Sequence, residues 1–319
     1  MTKASTDYGF FRIEELTDGV FAAVGDQDGL CHSNAGIVDL GDRTLVFDTL
    51  TLPTYGEALA AACRDLTGRD PTWIAFSHYH GDHLLGNQAF PDPTALIATD
   101  AMLPLVDAWM TEYQKAVDDP SEFAEEIDTY AAGCESEHDP TRREVMEVNL
   151  ARWRALYDAL PSLRLVRPNT AFCGTLRLVG SERTVELIEV ADAHTASDVY
   201  LRLPDDGVVF LGDLGFFDTI PFLVYADPVH WAEVLRGFEA SEVCTYVPGH
   251  GVVDGRDKVT AERECIEAVI AAVRAAIDAG DPVTEAVSDR LPKRFQAWAL
   301  RGRFNEANYQ AVAKSIQAS

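Results

Sequence analysis

Apolar and polar positions follow two different textures along the chain. Over 10–49, and again over 163–211, short apolar runs rich in β-branched residues alternate with Gly, Asp and Pro turns, which is typical of strands. Between these regions, 100–162 is long, charged and helix-favouring, and 53–67 and 257–279 carry apolar residues at helical spacing. The pattern predicts two strand regions, helices around them, and a helical insertion at about 100–162.

Strand, helix and strand follow one another before the insertion, which indicates an α/β protein with helices packed on its sheets. Hydrophobic residues make up 47% of the 319 residues, enough for a sizeable core. The chain shows no repeat and no Pro- or Gly-rich linker. We therefore expect a single domain over 1–319, ending in a helical segment at about 281–319.

The charge balance restricts the partners. Lys and Arg total 26 against 52 Asp and Glu, a net charge of −26, and such a surface repels phosphate backbones and anionic lipid. No apolar run is long enough for a membrane helix, and the first residues lack the basic region and apolar run of a signal peptide, so we expect none. The six cysteines form no C-x-x-C pair and are expected to be reduced and mostly buried. We expect a cytoplasmic protein that binds neither nucleic acid nor membrane; a homo-oligomer, and a high-salt habitat as the reason for the acidity, stay open.

A cluster of histidines follows the apolar run 73–76, which predicts a buried strand. His78 and His80 would share one face if the strand continues, so they could bind one metal ion together. A glycine then lets Asp82 and His83 turn toward a second point near the start of a helix. The spacing favours a two-metal site over a polar turn or an accidental histidine tract.

Three further residues each stand in a turn that follows a strand: His194, Asp213 and His250. Alone, each would be explained by turn chemistry. Together with the cluster they place five imidazoles and two carboxylates at strand ends, which favours one shared site.

Two other residues have open interpretations. Asp48 ends an apolar strand and is either a turn-former or a buried carboxylate that orients a metal ligand from behind. His32 lies in a loop between strands, where it overhangs a pocket or is simply solvated. The solvated interpretation is favoured for His32.

The motif His78-Tyr79-His80-Gly81-Asp82-His83, followed in order by the three single residues, resembles the metallo-β-lactamase-fold hydrolase superfamily. The resemblance implies a four-layer αββα sandwich with a dinuclear site along one edge. It further implies a first metal held by three histidines, a second held by three other residues, a carboxylate that bridges both, and a carboxylate at an early strand end. By position these are His78, His80 and His194; Asp82, His83 and His250; Asp213; and Asp48. Asp82 and Asp213 are thus the candidate catalytic carboxylates.

Mixed imidazole and carboxylate donors suit zinc, with iron or manganese as substitutes. Two such ions about 4 Å apart lower the pKa of a shared water from about 15.7 toward about 7, which supplies hydroxide at neutral pH. The chain has no Gly-x-Ser-x-Gly elbow of a serine hydrolase. We therefore expect a metal-dependent hydrolase that uses two Zn²⁺.

The substrate is less constrained. Asp213 stands where authentic β-lactamases of the superfamily commonly have Cys, so the thioesterase, lactonase and phosphodiesterase branches are more similar. Phe216, Phe217, Phe222 and Tyr225 are expected to line an apolar substrate pocket, or else to pack under the insertion. The favoured function is cleavage of a small ester, lactone, thioester or amide, with side activity on β-lactams. The alternatives are a non-haem iron oxidoreductase, a phosphodiesterase and a non-catalytic module.

Overall fold

A computed structural model describes residues 6–91, 94–300, 302 and 304–318 of the chain. Residues 1–5 and 319 of the predicted domain, and two arginines of the predicted C-terminal segment, lie outside the described residues. Two β-sheets pack face to face with helices on their outer sides, which is the αββα sandwich that the sequence predicts. Among the described residues, no helix is long and apolar enough to cross a bilayer.

The first sheet follows chain order, with antiparallel pairing up to its fifth strand and parallel pairing after it. Its strands are β1 (Thr6–Asp7), β2 (Arg12–Thr17), β3 (Val20–Val24), β4 (Ala35–Asp39), β5 (Thr44–Phe47), β6 (Trp73–Ala75), β7 (Ala95–Thr99) and β8 (Thr170–Phe172).

The second sheet has the order β13-β12-β11-β10-β9, antiparallel except for the parallel pair of β12 and β13. Its strands are β9 (Thr175–Val179), β10 (Thr184–Ala191), β11 (Ser197–Leu203), β12 (Val208–Phe216) and β13 (Thr245–His250).

The α-helices lie between and after these strands. They are α1 (Pro53–Thr67), α2 (Gly81–Leu84), α3 (Met102–Asp118), α4 (Ser121–Ser136), α5 (Pro140–Ala159), α6 (Pro228–Glu239), α7 (Arg256–Ala279), α8 (Lys293–Leu300) and α9 (Asn305–Ala318). Helix α1 has the predicted bounds because Pro53 occupies its first turn and Gly68, at φ 74°, ends it in the left-handed conformation.

Strand β12 shows how the core is divided. Val208 and Phe210 pack between the two sheets, whereas Val209 and Leu211 pack against the outer helices. Because alternate side chains of a strand point to opposite faces, a strand buried on both sides is continuously apolar. The ring of Phe210 lies 6.3 Å from that of Phe47 in the first sheet, so the inner faces are in direct contact.

The insertion forms helices α3 to α5, as predicted, and its aromatic residues pack both on one another and on the core of the sandwich. Tyr130 and Trp153, with ring centroids 4.7 Å apart, join α4 to α5, and Trp109 contacts Tyr113 within α3 at 4.1 Å. Tyr130 and Trp153 bury the facing apolar surfaces of α4 and α5, whereas Trp109 packs against the core cluster of the first sheet.

Candidate metal centre

The seven residues predicted as ligands converge at one edge of the sandwich. They come from the segment after β6, the start of α2, the loop between β10 and β11, β12, and the end of β13. All but Asp82 and His80 are buried, and these two are partly buried. Residues separated by up to 172 positions thus form one compact polar cluster.

The histidine motif differs in local structure from the prediction. Strand β6 ends at Ala75, so His78 and His80 lie in an irregular segment and not on a continuing strand. Their ring centroids are nevertheless 4.6 Å apart. Gly81 then begins α2, and a Cβ on this glycine would lie 2.6 Å from the ring of Trp109. The missing side chain lets the insertion approach the motif closely.

Asp213 and His250 are not in turns, contrary to the prediction. Asp213 lies inside β12, and His250 is the last residue of β13. Strand β12 continues past the site because Gly212, at φ 55°, forms an irregularity in its pairing with β13. A Cβ on Gly212 would lie 2.3 Å from Cβ of Ser77, so only glycine fits between the strand and the motif.

One carboxylate oxygen of Asp213 faces the first group of histidines. Oδ2 lies 3.5 Å from Nε2 of His78 and 3.4 Å from Nε2 of His194. The same nitrogen of His194 is 3.2 Å from Nδ1 of His80. We call these three histidines and Asp213 Oδ2 the first half-site; their donor atoms lie within 4.8 Å of one another.

The other oxygen of Asp213 faces the remaining ligands. Oδ1 lies 3.0 Å from Nε2 of His83 and 3.4 Å from Nε2 of His250. Oδ2 of Asp82 is 3.3 Å from Nε2 of His250 and 3.7 Å from that of His83. These atoms form the second half-site. Asp213 is therefore shared between two sets of donors.

Asp48 supports both half-sites from behind. It is buried, and Oδ2 lies 2.9 Å from Nδ1 of His83. The backbone N–H of Ser77 donates to Oδ1 at 2.7 Å and the Ser77 hydroxyl donates to Oδ2 at 2.7 Å. The same hydroxyl is 2.9 Å from Nδ1 of His78. Asp48 is thus both a residue at positive φ, 62°, and a carboxylate that orients the rings.

Two further rings are fixed by backbone carbonyls on the side away from the cluster. Nδ1 of His194 lies 3.1 Å from the carbonyl oxygen of Phe222, and Nδ1 of His250 lies 3.1 Å from that of His32. A donor on Nδ1 leaves the lone pair of Nε2 directed into the cluster, which is the tautomer that a metal ligand requires.

Several atoms inside the cluster are buried without a hydrogen-bond partner. They are Nε2 of His78, of His80 and of His83, and Oδ1 of Asp213. Buried polar atoms in proteins are normally satisfied, and several exceptions in one cluster are typical of residues that bind a cation. The residues therefore fit a divalent metal, because their orphaned donors are those that zinc, iron or manganese binds.

The first half-site favours neutral imidazoles. Burial lowers the pKa of His78 well below its ordinary value, lowers the pKa of His80, and lowers that of His194 to about 3. Neutral imidazole is the form that coordinates a metal.

The second half-site has stronger charge coupling. Burial lowers the pKa of His83 and of His250, but the nearby carboxylates, Asp213 foremost, outweigh it and raise both. Burial raises the pKa of Asp82 and Asp213, yet the neighbouring histidines, His83 first, hold both well below their usual range. Without metal, this half is an ion-paired cluster whose protons must leave when a cation binds.

His32 is the clearest error of the sequence analysis, because the solvated interpretation is wrong. Its side chain is only 13% exposed, and Nε2 lies 3.4 Å from Oδ2 of Asp82. Its ring stacks on that of His250 at 5.1 Å. His32, Asp82 and His250 form a further group whose donor atoms lie within 4.8 Å of one another.

Sequence analysis missed two other carboxylates. Asp198 accepts the N–H and hydroxyl of Thr195 and so closes the loop that carries His194, and burial raises the pKa of Asp198 to about 7. Glu262 is fully buried on α7 and accepts the backbone N–H of Phe216 at 2.9 Å. Asp198 could have been found from the Thr-x-x-Asp spacing, which is typical of a turn capped by a side chain. Glu262 could have been found because it is a carboxylate on the apolar stripe of a helix.

A cavity of about 720 Å³ opens over the cluster. Its walls come from the insertion, from the segment after Asp213 and from the C-terminal region. The predicted pocket residues Phe216, Phe217, Phe222 and Tyr225 all line it; Phe216 and Phe217 are buried, whereas Tyr225 is 59% exposed. Phe216, Phe217 and Phe222 belong to the core cluster between the second sheet and the outer helices, and not to the clusters of the insertion.

The family model of the metallo-beta-lactamase superfamily matches residues 28–250, which include the whole cluster. The chain belongs to the metallo-beta-lactamase superfamily. A comparison with curated proteins found no match.

Solved structures of the superfamily share this fold at low identity. The mono-zinc form of the metallo-beta-lactamase FIM-1 from Pseudomonas aeruginosa is 15% identical with TM-score 0.57, covering 81% of this chain and 95% of that chain. A metallo-beta-lactamase from Erythrobacter litoralis is 18% identical with TM-score 0.58, covering 83% and 99%. The sec-alkylsulfatase Pisa1 from Pseudomonas sp. is 15% identical with TM-score 0.65, covering 95% of this chain but 49% of its own. At these identities the likeness concerns the fold.

Proposed function

We propose that this chain is a dinuclear zinc hydrolase that cleaves a small ester, lactone, thioester or amide. The observation that supports it most is the placement of Asp213, whose two oxygens face separate sets of donors at 3.0–3.5 Å. A carboxylate shared in this way holds two cations side by side. Superfamily membership supports a metal-dependent reaction, and a neighbouring structure carries zinc.

In this proposal His78, His80 and His194 would hold the first metal, Asp82, His83 and His250 would hold the second, and Asp213 would serve both. A bound zinc pair supplies Lewis acidity and lowers the pKa of a water toward about 7. The donor geometry is set in advance, because Asp48 and backbone carbonyls fix the rings. We propose Asp82 and Asp213 as the catalytic carboxylates, because both line the cavity and both belong to the cluster of metal donors.

The chain's own residues also select the substrate. The cavity volume of about 720 Å³ suits a small molecule. Two aromatic rings lie next to the cluster: the ring of Phe222 lies 5.9 Å from that of His80, and the ring of Tyr225 lies 5.8 Å from it. Such walls exclude water and favour an apolar group next to the scissile bond. We propose that Phe216, Phe217, Phe222 and Tyr225 form this apolar wall.

A panel assay of the zinc-loaded protein tests the proposal. A lactone, a thioester, a β-lactam and a phosphodiester are compared, with wild type, Asp82→Ala and the exposed control Asp205→Ala. We expect turnover of the lactone or thioester, its loss by more than about a hundredfold in Asp82→Ala, and no change in the control. Unchanged turnover of Asp82→Ala with a full metal complement contradicts the assignment. So does resident iron with oxygen consumption in place of hydrolysis.

A further inference from the structure

The C-terminal end of the loop 25–34 is hydrogen-bonded to the second half-site. The hydroxyl of Ser33 donates to the backbone oxygen of Asp82 at 2.6 Å. The amide of Asn34 donates to the carbonyls of Pro248 and Gly251 at 2.8 and 2.9 Å, on either side of His250. The loop thus has a fixed position relative to two of the proposed ligands.

The N-terminal part of the same loop is hydrogen-bonded to the insertion. The guanidinium of Arg152, on α5, donates to the carbonyl of Gly29 at 2.8 Å and to that of Gln27 at 2.7 Å. Arg152 is 9% exposed. The side chain of Gln27 in turn donates to the carbonyl of His32 at 2.9 Å. These contacts hold His32 in place from both directions.

His32 directs a nitrogen at the ligands themselves. Nε2 lies 3.4 Å from Oδ2 of Asp82, which is longer than an ordinary N–H···O hydrogen bond of about 2.9 Å. Adjacent donors of one zinc ion, each about 2.0–2.2 Å from it, lie roughly 3.0–3.6 Å apart. Oδ2 of Asp82 is 3.3 Å from Nε2 of His250, so the carboxylate oxygen has ligand spacing to both histidines.

We propose that His32 is an additional protein ligand of the second metal, together with Asp82 and His250. This inference rests on the dinuclear site proposed above and goes beyond the ligand set read from the sequence. A further imidazole raises the number of protein donors at the second half-site only, which makes the two halves unequal in coordination. It also joins metal binding to the loop and, through Arg152, to the insertion that forms a wall of the cavity.

Metal binding of two variants tests the role of the nitrogen separately from that of the ring. His32→Ala removes both, whereas His32→Phe keeps a flat ring that can stack on His250. The control His230→Ala alters an exposed histidine of α6. Zinc is titrated against a competing chelator, and the visible spectrum of each Co²⁺ equivalent reports its coordination. Circular dichroism and thermal unfolding show whether each variant is folded.

We expect both His32 variants to weaken the second equivalent about 10–100-fold and to change its Co²⁺ spectrum, with the first equivalent and the control unchanged. Wild-type affinity for the second zinc equivalent in either folded variant overturns the proposal. If His32→Phe retains that affinity, the ring of His32 has a packing role only. Equal weakening of both equivalents overturns it as well. A wild-type chain that binds a single equivalent refutes the dinuclear function itself, and this outcome is visible before any variant is compared.

Discussion

Asp48→Asn tests whether the buried carboxylate behind the cluster sets the tautomer of a ligand. Asp48 accepts three hydrogen bonds, two from Ser77 at 2.7 Å each and one from Nδ1 of His83 at 2.9 Å. Asparagine has nearly the same shape and tolerates the positive φ of 62° at this position. It keeps one acceptor oxygen, which the backbone N–H of Ser77 requires, and so presents its NH₂ group to His83.

The magnitude follows from the burial of these groups. Asp48 is 1% exposed, so water cannot replace a lost partner. Facing an NH₂ group, Nδ1 of His83 must give up its proton, which then moves to Nε2 and blocks the nitrogen directed at the metal. A hydrogen bond to a charged group contributes about 1.5–3 kcal/mol, and loss of such an orienting partner costs about 10–100-fold in metal affinity. We expect the second zinc equivalent to weaken by that factor.

The assay is a chelator-competition titration of apo-protein with zinc, for wild type, Asp48→Asn and Asp205→Asn, which alters an exposed aspartate. The first equivalent should change less than the second, because the Ser77 hydroxyl, although it loses Oδ2 of Asp48 as its acceptor, can still accept from Nδ1 of His78. Hydrolysis should fall with occupancy of the second half-site. Wild-type affinity of both equivalents in folded Asp48→Asn would refute the reasoning, since His83 would then bind metal without its carboxylate.

Three other consequences can be measured. In metal-free protein the carboxylates raise the pKa of His83 and His250, so metal binding at the second half-site releases protons. Zinc affinity there should fall as pH is lowered, by up to about tenfold per pH unit for each proton released, while the first half-site changes less; equal pH slopes in isothermal titration would contradict this. Gly212→Ala should destabilise the fold by about 1–3 kcal/mol in urea unfolding, because its Cβ would lie 2.3 Å from Ser77. Gly207→Ala, also at positive φ (64°) but with nothing within 4 Å, is the control, and equal losses would show that backbone strain alone is responsible. Burial raises the pKa of Glu262 above its ordinary 4.5, so its contribution to stability is full below that pH and declines as pH rises toward the folded-state pKa. Glu262→Gln removes this decline. The unfolding free energy of the variant minus that of the wild type should therefore increase between pH 4 and 7, and a difference that does not change with pH would contradict the effect.

The family and the layered fold could be predicted from sequence because their signals are local. Alternating apolar runs mark strands, a 3.6-residue period marks helices, and the motif 78–83 is contiguous. A single residue such as His194 can be assigned to the site from its order along the chain and from the strand that precedes it. That the structure brings all seven predicted ligands together is a geometric finding, and their binding of metal remains a proposal.

The errors have a common cause in tertiary contacts. The polar loop around His32 predicts a solvated side chain, but Arg152, 120 positions further along the chain, holds that loop against the site. Asp213 was placed at a strand end because a Gly-Asp pair is typical of a turn. In the fold, Gly212 lets the strand pass close to Ser77 and continue. Neither contact leaves a periodic pattern in the sequence.

The central claim is that Asp213 is shared by two metal ions. The most direct measurement is native mass spectrometry of the zinc-loaded chain, compared with folded Asp213→Asn, which keeps the shape of the side chain but loses the negative charge between the two half-sites. We expect two zinc ions per wild-type chain and loss of at least one of them in the variant at the same free zinc concentration. One zinc ion in the wild type, or two equally retained in Asp213→Asn, would contradict it.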